Sequence, residues 1–465
     1  MDIGFETIGN ATVICHDRRP ILVTDPWVQG GAYFGSWKLS HAVPEAQMAA
    51  VRDTEFVWFS HGHPDHLNGE CLPLFAGKKI LVADHVGQRI RRDLTEQGYS
   101  VRVLPDRRWL SLSPRVRVLC IADYNQDAVL LIDVNGRLVV NLNDASDRGW
   151  GRTVRRIIKG YDRSFLLALH GFGDADMINF FDESGQRLPI GERAPLGQTI
   201  AAQAEHYGVR YFIPFSSMHR YQRADSAWAA AVSAKLEDYP KGFRSSRVEL
   251  LPAFIRWSCA DDTMERIDPP ETPEHYFEPT AFGDDWSEPL ERDELRAAET
   301  YFRRIERLEE AVDFIRLRIG GNDHVIGFPR KLARRGREKG LTIEAPRGSF
   351  TTSIKYEIFD DLLIGNFAKV TLHGEWIGKP LYPDFTPYVA KYGDNGKART
   401  RSEVEDYFSA YRRRDPAGYL GHLVERNWLL PVQTRAADAL RKLGTASPIY
   451  QAAKKTYWAL RRAGG

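Results

Sequence analysis

The feature that most constrains this chain is the sequence HGHPDH at residues 61–66, which places three imidazoles and a carboxylate within one short loop. It directly follows the apolar run at residues 56–59, which is typical of a buried strand. Alternate side chains of an extended loop share a side, so His61 and His63 can point at one metal ion. The turn after them directs the next carboxylate and imidazole to a neighbouring position. We therefore predict a metal site rather than a solvated turn. Its candidate ligands are His61, His63, Asp65 and His66.

Short apolar runs rich in β-branched and aromatic residues recur along the first part of the chain and predict strands of a buried sheet. The expected strands are residues 11–15, 21–24, 56–60, 79–82, 116–122, 128–134, 137–142, 165–169 and 211–215. Asn135-Gly136 is the preferred residue pair for a tight hairpin turn. Helices are expected at residues 86–97 and 226–236, the second capped by Asp225. The pattern predicts an α/β chain.

The length of 465 residues exceeds the usual size of one domain, so we expect two units. A proline-rich acidic stretch at residues 268–274 marks the way out of the first unit. The predicted division is a catalytic domain at residues 1–260 and a C-terminal accessory domain at residues 261–465. The elements expected in the second unit are a charged helix at residues 291–317, strands or a strand–helix mixture at 349–373, and a helix at 435–462.

Charge and cysteine content exclude some classes of function. With 64 Lys and Arg against 62 Asp and Glu, the net charge is +2, so there is no global reason to expect a nucleic-acid partner. The four cysteines lie far apart, without the spacing of a zinc knuckle or a disulfide scaffold. No secretory signal and no run of roughly 20 apolar residues is found. We expect a soluble, cytoplasmic protein, and leave contact with a membrane surface open.

The histidine motif resembles the HxHxDH signature of the metallo-β-lactamase superfamily, and the resemblance extends over roughly the first 260 residues. Upstream, residues 8–14 and 21–27 look like the family's opening strands, with Asp25 at the strand end. Downstream, Asn143-Asp144 stands where the family has Gly-Asp, so the resemblance implies that Asp144 is the bridging carboxylate. It also implies a four-layer αββα fold, here followed by a mixed, mainly helical C-terminal extension.

The other ligand positions of this family are matched less closely. A third histidine on the first metal is missing, and Asp123 falls at its position, which would favour iron or manganese over zinc; an ordinary turn aspartate is the alternative. For the last ligand of the second metal we prefer His219. His170 is the alternative ligand. If it is not a ligand, we expect it to contact the substrate or to support a ligand from outside the metal site. Trp37 is a candidate for lining the substrate entrance, although aromatic residues between early strands more often belong to the core. The implied cofactor is one or two divalent ions.

More narrowly, the chain is similar to the branch that contains the catalytic half of CMP-N-acetylneuraminate hydroxylase. Other branches share the metal pattern, so the resemblance does not fix the reaction. Our leading hypothesis is metal-dependent hydrolysis of an ester, amide or phosphodiester bond in a small molecule, with Asp65 holding the proton of the activated water.

Two other functions stay open. One is an iron-dependent oxygenase of a nucleotide sugar or glycoconjugate. It would need an external electron donor, because the four cysteines lack the spacing of a Rieske cluster. The other is a binding module with a degraded metal site.

Overall fold

The computed structural model describes residues 1–169, 179–190, 195–329, 338–376 and 380–417, together with residues 420 and 424. These residues form two large β-sheets, a smaller third sheet and a two-stranded ribbon, with short helices around them. Two sequence predictions, the helix at residues 435–462 and the role of His170, lie outside the described residues. Within the described part of the chain, no helix is both long and apolar enough to span a membrane.

The first large sheet has eight strands. In spatial order they are β18 (Thr263–Arg266), β17 (Ile255–Ser258), β1 (Ile3–Ile8), β2 (Thr12–Asp17), β3 (Arg19–Thr24), β5 (Phe56–Phe59), β6 (Lys79–Ala83) and β7 (Ser100–Leu104). Strand β5 lies between β3 and β6 and is parallel to both. All its residues are buried, because helices and the second sheet cover its two faces. The histidine loop therefore leaves the sheet at the carboxyl ends of parallel strands, where ligand sites commonly form.

The second large sheet has seven strands. In spatial order they are β16 (Glu249–Leu250), β14 (Tyr211–Phe215), β12 (Ser164–Leu169), β11 (Arg137–Asn143), β10 (Ala128–Val134), β9 (Val116–Ala122) and β8 (Trp109–Ser111). The turn between β10 and β11 has Asn135 at φ 51° and Gly136 at φ 79°. Both angles are left-handed, as the predicted hairpin turn requires. This hairpin sets where β11 ends, and so places Asp144 beside the loop.

The two large sheets pack face to face and are covered by helices on their outer sides. Between them Phe5 meets Phe165 edge-on, with ring centroids 5.0 Å apart, inside a shared apolar core. Helices α1 (Glu45–Asp53) and α2 (Arg89–Glu96) contribute to the core on the outer face of the first sheet. Helices α3 (Gly151–Ile158) and α4 (Leu196–Tyr207) contribute to the core on the outer face of the second. The predicted four-layer αββα fold is therefore confirmed.

The C-terminal residues build a third, five-stranded sheet with its own apolar core. Its strands in spatial order are β13 (Asn179–Phe181), β22 (Lys369–His373), β21 (Gly340–Glu344), β19 (Phe314–Ile319) and β20 (Asn322–Gly327). The helices of this part are α5 (Arg292–Arg303), α6 (Leu308–Ala311), α7 (Arg347–Lys355), α8 (Phe359–Ile364), a π-helix at Pro387–Asn395 and α9 (Arg401–Arg414). Strand β13 joins this sheet from before residue 260, and the predicted domain boundary stays a prediction.

Two predicted helices differ in the structure. The helix expected at residues 291–317 is interrupted after Arg303 and resumes in α6. Strand β19 occupies residues 314–319, because apolar and charged side chains alternate there with the period of a strand. The helix expected at residues 226–236 is instead a 3-10 helix at Ala224–Ala231. Asp225 does not cap it, because its carboxylate accepts hydrogen bonds from the buried Arg223. A small ribbon pairs β4 (Trp37–Leu39) with β15 (His219–Tyr221).

Candidate metal centre

Asp25, at the end of β3, fastens the start of the histidine loop. One carboxylate oxygen accepts a hydrogen bond of 2.7 Å from the Ser60 backbone N–H. The other lies 3.2 Å from Nδ1 of His66. The side chain is fully buried, and burial raises its pKa, although His66 and Ser60 act against that change. Asp25 at this strand end thus holds the start of the histidine loop and the ring of His66 in place.

His61 and His63 face each other with ring nitrogens at contact distance. Nε2 of His61 lies 3.0 Å from Nδ1 of His63 and 3.8 Å from Oδ2 of Asp144. On its other side, Nδ1 of His61 is 2.8 Å from the Ser60 hydroxyl. Burial lowers the pKa of His61 well below its ordinary value, and the neighbouring histidines lower it further. His61 is therefore neutral, which is the form that binds a metal ion.

His66 forms a second group, in which Asp144 takes part again. Its Nε2 lies 3.4 Å from Oδ2 of Asp65 and 3.4 Å from Oδ2 of Asp144. Asp65 is held from both sides, by a hydrogen bond of 2.5 Å from the Tyr33 hydroxyl and one of 3.0 Å from the Asn10 amide. Burial alone would raise the pKa of Asp65, but His66 and the hydrogen bonds hold it well below its usual range. Asp65 is a fixed, ionised carboxylate.

A third set of side chains comes from the C-terminal part and was not predicted from the sequence. Oδ2 of Asp360, on α8, lies 3.0 Å from Nε2 of His63. The Lys391 ammonium, on the π-helix, lies 3.3 Å from the same nitrogen and 3.6 Å from the same oxygen. Asp361 belongs to the same cluster, with ligand atoms within 4.8 Å of one another. The available signal was a pair of adjacent acids inside the apolar run FDDLLI.

These donors fit divalent ions in spacing and in charge. Ligand atoms at about 2.0–2.2 Å from a tetrahedral ion lie about 3.3–3.6 Å apart. The observed separations of 3.0, 3.4 and 3.8 Å bracket that range. The carboxylates of this cluster are those of Asp25, Asp65, Asp144, Asp360 and Asp361. In the described part of the chain, the cationic groups within 4.0 Å of them are the Lys391 ammonium and the histidine rings. Excess buried negative charge is costly unless a cation compensates it.

His219 and Trp37 lie together, and His219 is in none of the three groups of possible ligands in the described chain. Their rings stack with centroids 3.5 Å apart and planes 4° apart. Neither ring nitrogen of His219 has a hydrogen-bond partner among the described residues. Burial lowers the pKa of His219 to about 4, while Asp65 and Asp144 act in the opposite direction. A neutral imidazole without a hydrogen-bond partner among the described residues could bind a metal ion. The role of His219 as a ligand and that of the buried Trp37 at the substrate entrance stay predictions.

Asp123 lies apart from all three groups of possible ligands in the described chain. Its carboxylate accepts a hydrogen bond of 2.7 Å from the Asn125 backbone N–H and lies 4.0 Å from Nε of Arg148. Burial, and then the neighbouring Asp127, raise its pKa to about 7. The structure therefore does not bring Asp123 to His61 and His63, and its assignment as a ligand stays a prediction.

Comparison with known sequences finds similarity to a group of hydroxylases over part of the chain. No family model matches. The chain is 26% identical to cytidine monophosphate-N-acetylneuraminic acid hydroxylase of Danio rerio over 222 residues, which is 44% of this chain and 37% of that protein. It is 24% identical to the Macaca mulatta protein of that name over 169 residues, or 34% of this chain and 29% of that one. The matches thus span about a third of the length of these curated relatives.

Solved structures with partial similarity carry metallo-hydrolase names. Igni18, a metallo hydrolase from Ignicoccus hospitalis, is 14% identical and covers 57% of this chain and 99% of its own, with a TM-score of 0.37. The metallo-beta-lactamase fold protein YhfI from Bacillus subtilis is 11% identical and covers 53% of this chain and 90% of its own, with a TM-score of 0.31. Because these TM-scores are low, the fold rests on the sheet order and layers described above.

Proposed function

We propose that this protein is a metal-dependent hydrolase that acts on an ester, amide or phosphodiester bond. The observation that carries the proposal is the convergence of imidazole nitrogens and carboxylate oxygens in two groups that share Asp144. The αββα layers support it, because they hold these groups at the edge of a packed core rather than on a free loop.

The first group, His61, His63 and Asp144, would hold one ion, and Asp65, His66 and Asp144 would hold a second. A divalent ion bound there supplies a lower pKa for a coordinated water and stabilises negative charge on the substrate. Imidazoles suit zinc and iron, whereas the number of carboxylates favours harder ions such as manganese. Zinc, iron and manganese are therefore the ions to test.

Asp65 is the proposed acceptor of the proton that the attacking water loses. Tyr33 and Asn10 hold its carboxylate in place, so the acceptor oxygen needs no reorganisation. Because its pKa is held low, Asp65 is ionised before the reaction but is a weak base. It would take the proton only from a water that the metal has acidified, and would pass it to the leaving group. Tyr33 and Asn10 orient this base and contact no other member of the two ligand groups through the hydrogen bonds described.

The second candidate is an iron-dependent oxygenase of a nucleotide sugar or glycoconjugate. It is favoured by the sequence similarity to hydroxylases. All four cysteines are buried and free, so this reaction would draw its electrons from an external donor. For either function we propose a small-molecule or glycoconjugate substrate, no nucleic-acid partner and a cytoplasmic setting.

Metal analysis and paired assays separate the two candidates. Full-length protein loaded with Zn²⁺, Mn²⁺ or Fe²⁺ is assayed on chromogenic esters, amides and phosphodiesters while dissolved oxygen is recorded. We expect turnover without oxygen uptake. The double variant His61→Ala with His63→Ala should lose bound metal and turnover, whereas His275→Ala removes an exposed imidazole outside the cluster and should change neither.

Two results would contradict the hydrolase proposal. Oxygen consumption coupled to hydroxylation of a nucleotide sugar would favour the second candidate. Turnover retained in the double variant would place the chemistry elsewhere in the molecule.

A further inference from the structure

We propose that Asp360 is a positioning residue of the metal centre, whose carboxylate fixes the tautomer and the orientation of His63. The proposal rests on the proposed function in so far as His63 must be a metal ligand. It gives the C-terminal part of the chain a defined role in metal binding.

The two nitrogens of His63 face different partners. Nδ1 lies 3.0 Å from Nε2 of His61, on the side of Asp144. Nε2 lies 3.0 Å from Oδ2 of Asp360 and 3.3 Å from the Lys391 ammonium, which can only donate. The carboxylate is the nearer of the two, and it is the one that can accept an N–H. A neutral imidazole carries a single N–H, so donation from Nε2 to Asp360 leaves the lone pair of Nδ1 directed at the metal position. A carboxylate behind a ligating histidine is a recurrent arrangement in metal sites, and it strengthens the ligand.

Asp360 is suited to accept this hydrogen bond because a cation accompanies its carboxylate. The Lys391 ammonium lies 3.6 Å from Oδ2 of Asp360, and the two side chains are 13% and 8% exposed. The ammonium thus compensates the charge of the carboxylate beside Nε2.

Packing fixes the position of Asp360 relative to the loop. Helix α8 contributes Phe359, Leu362 and Leu363 to the C-terminal core. The residues after α8 are hydrogen-bonded to residues of the N-terminal part of the chain. The carbonyl of Gly365 accepts a hydrogen bond of 2.6 Å from the Ser36 hydroxyl. Asn366 accepts one of 2.8 Å from the Tyr221 hydroxyl through its side chain. A carboxylate on a helix that is anchored at both its face and its end can hold an imidazole precisely enough for coordination.

Asp361, the next residue, offers a matched control and a rival explanation. It is buried, and no hydrogen bond or ion pair of its carboxylate is found within the described part of the chain. It belongs with His63 and Asp360 to one group of possible ligands. If α8 supplied a direct ligand instead of a positioning residue, Asp361 would be the better candidate, since Lys391 already neutralises Asp360.

The test compares four full-length proteins, namely the parent, Asp360→Asn, Asp360→Glu and Asp361→Asn. The affinity for Zn²⁺ is measured by competition with a chromophoric chelator, and the thermal unfolding of the metal-free proteins reports on folding. We expect Asp360→Asn to bind Zn²⁺ about 10- to 100-fold more weakly. Asp360→Glu should recover part of that loss, and Asp361→Asn should remain close to the parent.

A second measurement needs no substitution at Asp360. Side-chain nitrogen NMR of the metal-free protein, with the His63 signals identified by their loss in His63→Gln, distinguishes the two tautomers. We expect the proton on Nε2.

Three outcomes would overturn the proposal. They are a proton on Nδ1, unchanged Zn²⁺ affinity in Asp360→Asn, and a greater loss in Asp361→Asn than in Asp360→Asn. Each leaves the proposed function standing. A parent protein that binds no Zn²⁺, Mn²⁺ or Fe²⁺ would instead end both proposals.

Discussion

Among single residues, Asp144 has the most central position in the candidate metal centre, because it belongs to two of the groups of possible ligands. Its Oδ1 accepts a hydrogen bond from Ser216, while Oδ2 faces His61 and His66.

Asp144→Asn keeps the size of the side chain and removes its charge. We expect an affinity loss for Zn²⁺ of at least about 100-fold, since both proposed metal positions would lose the carboxylate that they share. Asp123→Asn is the comparison, and its loss should be smaller because Asp123 lies outside the ligand groups. Metal retained after dialysis against chelator-buffered Zn²⁺ gives the ranking. The reverse order would support Asp123 as the third ligand.

Glu357 gives a prediction about pH. Its carboxylate contacts Lys397, Arg304 and Arg399. Burial raises its pKa, but these partners prevail and lower it from 4.5 to about 2. A group with a lowered pKa in the folded state stabilises the protein fully above its unfolded pKa, and that stabilisation is lost as pH falls through the folded pKa.

Glu357→Gln should therefore reduce the free energy of unfolding by about 2 kcal/mol at pH 7. The difference from the parent should shrink as pH falls from about 4.5 towards 2. Urea unfolding at pH 7 and at pH 3 measures both values. An equal difference at the two pH values would show that the carboxylate charge has no part in it.

The sequence predicted one side of the candidate metal centre and not the other. His61, His63, Asp65 and His66 stand within six residues, so local spacing was enough to group them. Asp360 meets His63 across 297 residues. No local pattern links positions so far apart, and two adjacent acids on a helix usually form part of a solvated face.

At the scale of elements, predictions were most accurate where one local signal dominates. Strands β9 and β10 have the predicted bounds, since each is an apolar run with a single charged residue, next to a turn. The predicted helix at residues 291–317 is interrupted after Arg303, resumes in α6, and was wrong from residue 314 onwards, where β19 begins. In β19, two arginines lie between apolar residues and pair with Asp323 of β20. That partner became visible only once the strands were paired.

Arg223 connects elements on both sides of residue 260. Its fully buried guanidinium pairs with Asp225 and with Asp284, which also accepts hydrogen bonds from Ser349 in α7. Arg223→Met leaves the buried Asp284 and the partly buried Asp225 without their cation, and should lower the free energy of unfolding by about 3–5 kcal/mol.

Arg220→Met is the control for this change. Arg220 pairs with the largely exposed Glu271, so we expect a loss of about 1 kcal/mol or less. Chemical denaturation of both variants gives the comparison. Equal losses would mean that Arg223 acts only through its packing volume.

For the whole molecule, metal binding and stability should be linked. An ion that binds only the folded protein stabilises it by about 2.7 kcal/mol when its free concentration is 100 times Kd. We expect chelation to lower Tm in calorimetry and added Zn²⁺ to restore it. The double variant His61→Ala with His63→Ala should unfold at one temperature with or without the ion. If chelation leaves the Tm of the parent protein unchanged, that result would contradict a metal bound to the folded state.

The distance along the chain between His63 and Asp360 also means that the ribosome completes the histidine loop long before it completes α8. A ribosome adds about 5–20 residues per second, so the 297 residues between them take about 15–60 s to synthesise. Throughout that interval the histidine loop exists without the carboxylate that sits behind it in the finished chain. If both proposals hold, an ion that binds the nascent loop would be held more weakly until α8 has been synthesised and packed.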